Sequence, residues 1–320
     1  MERKMAEGTE RTREGRNSST GQSRPGGANR QTGNPQKRLL ITGASGFIGR
    51  HVCRKAAGTW QVLGLCRSRT GQMPGTVFHS LDLTDLSALA GIFNDFRPDA
   101  VVHLAAMPGL GACQNDPASS YRINVAVSRR IAELCADVYI PCVFTSTDIV
   151  FDGRCAPYRE TDPVAPVNVY GEHKALAESA MISVFPEVSV CRLSLVFGMD
   201  GGWIRPDGKA MFDGAVLKLF MDEYRTPIRV GRVVEGLFLA LEKSPGILHL
   251  GGGERVSRYD LGHMIAEKHS LKKAHIVSCR QKNVDLGAPR PEDVSLNIDK
   301  ARALGFHPRS LREELGFLAP

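Results

Sequence analysis

Long apolar runs are missing from this 320-residue chain. None approaches the roughly 20 residues that a membrane-spanning helix needs, so no membrane partner is expected. Clustered cysteine is missing too. The eight cysteines (53, 66, 113, 135, 142, 155, 191 and 279) show neither C-x-x-C nor a Cys/His pairing at metal spacing, and the nine histidines are dispersed. That excludes a metal site by pattern and points to a reducing, cytoplasmic setting in which cysteine acts as a small hydrophobe. A basic face is also lacking, despite a formal charge of +7. Nine of the 41 Lys/Arg and four of the 34 Asp/Glu lie in residues 1–38, which carry +5 and leave 32 bases against 30 acids elsewhere. Nucleic acid is therefore not expected as a partner of the folded part. Residues 1–37 have almost nothing apolar, hence no secretory h-region, and their acids argue against a transit peptide. A disordered basic tail is expected there.

The remainder has an ordinary globular composition, with 42% hydrophobic and 23% charged residues overall. An apolar run at 38–42 leads into Gly43-Ala-Ser45-Gly46-Phe47-Ile48-Gly49 and then a helix-like segment. Strand, tight glycine turn and helix opening form the entry to a dinucleotide fold, although the spacing is G-x-x-G-x-x-G. Gly43 permits the turn, Gly46 lets a pyrophosphate approach the backbone, and Gly49 lets the helix pack on the strand. A second apolar run at 60–65 ends in Cys66-Arg67-Ser68-Arg69, where an NAD-binding unit carries an acid. Arginine suits a 2′-phosphate, so NADP is preferred and NAD remains open. Asp82, followed by Leu83, is placed to meet an adenine amino group or to cap a helix. Residues 99–106 read as a fourth strand whose small tail, Ala105-Ala106, lets a cofactor pass closely. A helix is expected over 117–137.

The stretch 144–174 (FTSTDIVFDGRCAPYRETDPVAPVNVYGEHK) opens as a strand ending in Thr145, Ser146 and Thr147. It closes on Tyr170 and Lys174, one helical turn apart on one face. An ammonium beside a phenol lowers the phenol's pKa and allows reversible proton transfer, while strand-end hydroxyls hold a carbonyl. Carbonyl reduction or alcohol oxidation is the chemistry suggested. Beyond it, 188–198 reads as one strand, 211–220 as a helix, 231–244 as a helix and 246–252 as a strand. Ser257 is an N-cap candidate for the helix that follows. The fold class expected is α/β: a Rossmann-type doubly wound parallel sheet with a smaller C-terminal α+β substrate lobe. Its boundaries are a tail at 1–37, an NAD(P)-binding domain at 38–190, and a mixed region at 191–320 with one further sheet strand.

The glycine loop, LDLTD at 81–85, HLAA at 103–106, Asn124 in YRINV, STDIVFDG and Tyr170/Lys174 together resemble the extended short-chain dehydrogenase/reductases. STDIVFDG, PYRETDP, VYGEHK and the late PRPEDVSL resemble more specifically the dTDP-4-dehydrorhamnose reductase branch, related to the NAD-dependent epimerases. The resemblance implies a catalytic hydroxyl at Thr147, a proton donor at Tyr170, and a lysine at 174 that binds nicotinamide ribose and lowers the phenol's pKa. The same likeness sets Gly43, Ser45, Gly46, Phe47, Ile48, Gly49, Arg67, Arg69, Asp82, Leu83, Ala105, Ala106, Asn124, Tyr170 and Lys174 toward the cofactor. Asp148, Phe151 and Arg192 fall on the sugar side, with Asp152, while Arg225 and Arg290 are candidates for a nucleotide diphosphate. Phe47 stands where that branch commonly has Gln. The function implied is an NADP(H)-dependent reductase of a keto nucleotide sugar, with a homodimer left open. The alternatives are an NAD-dependent epimerase or dehydratase, and a non-catalytic NADP-binding regulatory subunit similar to the β subunit of methionine adenosyltransferase.

Overall fold

The computed structural model describes residues 36–68, 72–198, 201–202, 216–243, 246–270 and 275–318. Strands β1 (Arg38–Thr42), β2 (Gln61–Cys66), β3 (Thr76–Ser80), β4 (Ala100–His103), β5 (Cys142–Thr147) and β6 (Ser189–Leu193) alternate with helices. These are α1 (Phe47–Ala56), α2 (Leu86–Phe96), α3 (Leu110–Asn115), α4 (Pro117–Tyr121), α5 (Val127–Val138) and α6 (Val169–Val184). A seventh strand, Ile247–Leu250, comes back from late in the chain and adds beside β6. The sheet then runs in the order of that strand, β6, β5, β4, β1, β2 and β3, all parallel. This is the doubly wound Rossmann-type sheet.

Continuous apolar strands make sense only when both faces are covered. Leu39 and Ile41 of β1 pack with Val52 of α1 and with Val233 and Leu237 of the helix Val230–Lys243. Leu40 points the other way, into a cluster with Leu89 of α2, Ile131 of α5 and Met181 of α6. A third, smaller cluster joins Phe197, Leu217, Leu219, Leu261, Ile265, Leu311 and Leu315. It is the core of the lobe formed by small sheets and short helices outside the main sheet.

Three expected elements come out differently. The helix expected over 117–137 is interrupted by a π-helical turn, Arg122–Ala126. That turn holds Asn124 fully buried, with its amide on both backbone groups of Met107. The strand expected over 188–198 breaks after Leu193, where pairing with Thr147 of β5 ends. Its second part, Val196–Gly198, leaves the sheet to pair with Ile228–Arg229. Within 211–220, read as helical, residues 211–215 lie outside the described residues and Val216–Phe220 is a strand parallel to His275–Cys279. Its burial alternates, with Leu217 and Leu219 inside. A segment of five residues fits either period, and only the partner strand decides.

Candidate functional site

At the carboxyl end of β1 the chain turns through Gly43, whose φ of 66° suits glycine. A Cβ there would lie 2.8 Å from the Ala105 nitrogen, and one on Gly49 would lie 2.2 Å from the Gly43 carbonyl. The two glycines are therefore what let loop, helix and the Ala105-Ala106 tail close up. Helix α1 begins after Gly46 with no side-chain cap and no acid in its first turn. Its first N–H groups and the positive end of its dipole face outward at an exposed glycine, which suits a pyrophosphate. Ser45 ties the loop inward by accepting from Arg50 at 3.0 Å. Ile48 packs on the core. Phe47 is covered: Cβ atoms on Gly198, Gly201 or Gly202 would fall within 2.3–2.9 Å of its ring.

Arg67 follows β2 and is exposed, and its carbonyl accepts from the Ser80 hydroxyl. Asp82 also follows its strand, but its carboxylate accepts from the backbone and hydroxyl of Thr84. Those hydrogen bonds hold its pKa below the usual value, with Arg67 adding to the effect. Leu83 packs against the α2 side of the core. Arg69 lies outside the described residues. Asn124, expected to touch a cofactor, instead grips Met107 from inside. It shapes the backbone beyond Ala105-Ala106 and is a positioning residue.

The hydroxyl end of β5 meets the start of α6. Asn168 caps α6 by accepting from the Gly171 N–H at 2.9 Å. Gly171 sits so close to the Ile149 carbonyl that a Cβ would lie 2.4 Å from it. This seats Tyr170 beside Thr147, both lining one cavity. Lys174 is 2% exposed, with its Nζ donating to the Thr145 carbonyl at 2.6 Å and lying 3.9 Å from the Phe144 ring centre.

Tyr170 does not have the lowered pKa expected of a phenol beside Lys174. Burial raises the Tyr170 pKa well above its ordinary value, the negative Asp148 adds to that, and only the Thr147 hydrogen bond opposes it. Burial also pushes Lys174 down to about 7, with Glu178 pulling the other way. Helical spacing does place the two groups on one face, but burial is the largest cause of both shifts.

A cavity of about 480 Å³ opens over Thr147 and Tyr170, lined by Asp148, Ser194, Glu223, Arg225, Arg258 and Arg290 among others. A larger one, about 900 Å³, is lined by Trp60, Asp99, Ala100 and Phe238 among others, at the amino ends of β1 and β4. It is far from the hydroxyls, and parallel sheets hold ligands at their carboxyl ends. The smaller cavity is the candidate site.

Its charges are organised by Glu223, 1% exposed, with Arg258 at 2.9 Å, Arg225 at 3.4 Å and Arg290 at 3.5 Å. Burial pushes the Glu223 pKa up, but the three guanidiniums outweigh it and hold it below its usual value. Arg225 also reaches Asp148 at 3.5 Å, and Ser194 donates to that carboxylate at 3.1 Å. Burial nonetheless holds the Asp148 pKa above its ordinary value.

Asp148, Arg225 and Arg290 thus converge with Thr147 and Tyr170 as expected for one site. Phe151 and Arg192 do not reach it. Phe151 is fully buried, stacked 4.1 Å from Tyr158. Arg192 forms a buried pair with Glu178 at 2.7 Å and lies over Phe151. On β6 its side chain points down into the molecule, while Ser194, just past the strand end, enters the cavity. Asp152 accepts from the Tyr158 hydroxyl and shapes its loop. Ser194, Glu223 and Arg258 were missed. The only signal was Glu223 two residues before Arg225; Arg258 reads as a neighbour of the Ser257 cap.

The family model described as "RmlD substrate binding domain" matches residues 37–319. Methionine adenosyltransferase 2 subunit beta from Pongo abelii is 30% identical over 288 residues, covering 86% of this chain and 85% of that protein. The probable low-salt glycan biosynthesis reductase Agl14 of Haloferax volcanii is 29% identical, covering 87% and 96%. Among solved structures, a hypothetical dTDP-4-dehydrorhamnose reductase from Sulfolobus tokodaii superposes with a TM-score of 0.76 at 29% identity, covering 87% and 98%. UDP-glucose 4-epimerase from Thermus thermophilus, in complex with NAD, gives 0.75 at 26%, covering 87% and 96%.

Proposed function

Because the chain belongs to the RmlD substrate binding domain family, we propose that it binds a nicotinamide dinucleotide on the glycine loop and reduces a keto group of a nucleotide sugar. The observation that carries this reading is the convergence of Thr147 and Tyr170 with three arginines in one cavity at the sheet's carboxyl ends. Two relatives whose names are a glycan biosynthesis reductase and a dTDP-4-dehydrorhamnose reductase support the substrate class. The uncapped α1 and the close-packed Gly43, Gly46 and Gly49 fit the pyrophosphate. Exposed Arg67 in place of an acid favours NADP over NAD. The bound nicotinamide would supply the hydride.

The chain's own residues do the rest. Thr147 holds the carbonyl oxygen, and Tyr170 gives it a proton as charge develops there. A phenol kept protonated by burial is a donor available throughout the neutral range. Lys174 steadies the phenol's surroundings from the floor of the site. The lobe after β6, which contributes Ser194, Glu223, Arg225, Arg258 and Arg290, is the substrate-binding part, with the arginines on the diphosphate.

A panel of 4-keto nucleotide sugars with NADPH and NADH, followed by loss of nicotinamide absorbance, tests this. The expected result is turnover with NADPH and a fall of about 10²–10⁴-fold in Tyr170→Phe. Wild-type rates in that variant would sink the assignment. A second reading is supported by the 30% identity to methionine adenosyltransferase 2 subunit beta: a dinucleotide-binding partner subunit without turnover. Failure of every sugar, together with tight NADP(H) binding and co-purification with a synthetase subunit, would establish it. An NAD-dependent epimerase reading would need cofactor retained through purification, and Arg67 counts against it.

A further inference from the structure

Asn168 does two things at once. Its Oδ1 accepts from the Gly171 N–H at 2.9 Å, closing the first turn of the helix that carries Tyr170. Its Nδ2 donates to the Pro289 carbonyl, also at 2.9 Å, across 121 positions of sequence. The side chain is 5% exposed. One partner is a donor and the other an acceptor, so the amide has a single orientation that satisfies both. The Pro289 carbonyl belongs to the peptide bond that enters Arg290. Asn168 therefore fixes the plane from which the Arg290 side chain leaves.

The downstream side of Arg290 is fixed by other contacts. Pro291 restricts Arg290 to extended conformations. The Glu292 carbonyl accepts from the Tyr224 N–H at 2.7 Å. Gly153, with φ of 83°, lies so near this segment that a Cβ would come within 2.8 Å of the Glu292 nitrogen and 2.9 Å of the Pro291 side chain. Upstream, Ala288 is buried, and the described hydrogen bond to the Pro289 carbonyl is the one from Asn168. At the end of this braced segment, Arg290 reaches Glu223 at 3.5 Å, and its buried Nε has no protein partner among the described residues.

We infer that Asn168 is a positioning residue that couples the start of the catalytic helix to Arg290, setting the distance between the proton donor and the site of the substrate's anionic group. The inference rests on the proposed function for the identity of that group, taken as a diphosphate. It places specificity in a residue that touches neither substrate nor cofactor. Proton donor and anion clamp come from chain segments about 120 residues apart, and one amide spans them.

Asn168→Ser tests it. Serine is a good N-cap, so the helix start is kept while the reach to Pro289 is lost. Hydrogen–deuterium exchange should speed up in 284–290 while amides at 169–173 keep their protection. Affinities for dTDP and UDP by calorimetry should fall on the order of tenfold, the scale of one hydrogen bond, with NADPH affinity unchanged. In an Arg290→Ala background, Asn168→Ser should add nothing further to the nucleotide loss. Should the serine variant fold poorly, Asn168→Asp keeps the cap and turns a carboxylate toward the Pro289 carbonyl, with the same pattern expected. Faster exchange confined to 169–173, or unchanged dTDP and UDP affinity with weakened NADPH binding, would reduce Asn168 to a helix cap and overturn the coupling. If wild type binds neither dTDP nor UDP, the diphosphate reading falls, and the exchange pattern alone decides the coupling.

Discussion

Lys174 shows how far burial can move a single residue from its textual meaning. With its pKa pushed down to about 7, against about 10.4 in an unfolded chain, it binds fewer protons folded than unfolded in that interval. Stability from this group therefore rises with pH from about 7 toward 10. Tyr170, with its pKa raised, acts in the opposite direction only above about 10, where an unfolded tyrosine ionises. Between pH 7 and 8.5, below the range where the buried thiols of Cys53, Cys135 and Cys191 oppose it, the thermal midpoint should rise more steeply with pH in wild type than in Lys174→Met; identical slopes would show that the lysine does not titrate there. The positions of Thr147, Tyr170 and Lys174 were legible because hydroxyl, phenol and amine sit at the end of one strand and on one helix face. Their proton affinities were not, since these depend on how dry that face becomes when other elements cover it.

At the level of elements, the motifs turn out to be braces as much as chemistry. STDIVFDG contributes Thr147 and Asp148 to the cavity, but its last residue, Gly153, exists to let the loop touch 291–293. Gly153→Ala should strain a left-handed backbone and force that contact apart, costing about 1–3 kcal/mol. A drop of several degrees in thermal midpoint, with weaker dTDP binding than wild type, is the expected result. An unchanged midpoint would show that the loop yields freely. The missed strand Val216–Phe220 and the broken strand after Leu193 share a cause. Short apolar segments take the form their partner offers, and the partners His275–Cys279 and Ile228–Arg229 lie far along the chain or are only two residues long.

Across the whole molecule, Arg192 ties three parts together. It forms hydrogen bonds to Glu178 of α6 from Nε and Nη2, lies 3.4 Å from the His249 ring of the returning strand, and covers Phe151. Arg192→Met alone strands the Glu178 carboxylate in the interior and should cost roughly 3–5 kcal/mol, whereas Glu178→Met with Arg192→Met should recover most of it. Denaturant midpoints of the two variants check this; equal losses would mean that the pair contributes through shape rather than charge. By itself the sequence determined the doubly wound sheet, the glycine turn after β1 and the placement of Thr147, Tyr170 and Lys174, because each is written in a local period or a short spacing. Tertiary structure alone decided that Phe151 and Arg192 brace the interior, that Asn124 shapes a backbone, and that Glu223 gathers Arg225, Arg258 and Arg290 beside Tyr170. Those assignments depend on which buried group a side chain meets from a distant segment, and no local spacing encodes that meeting.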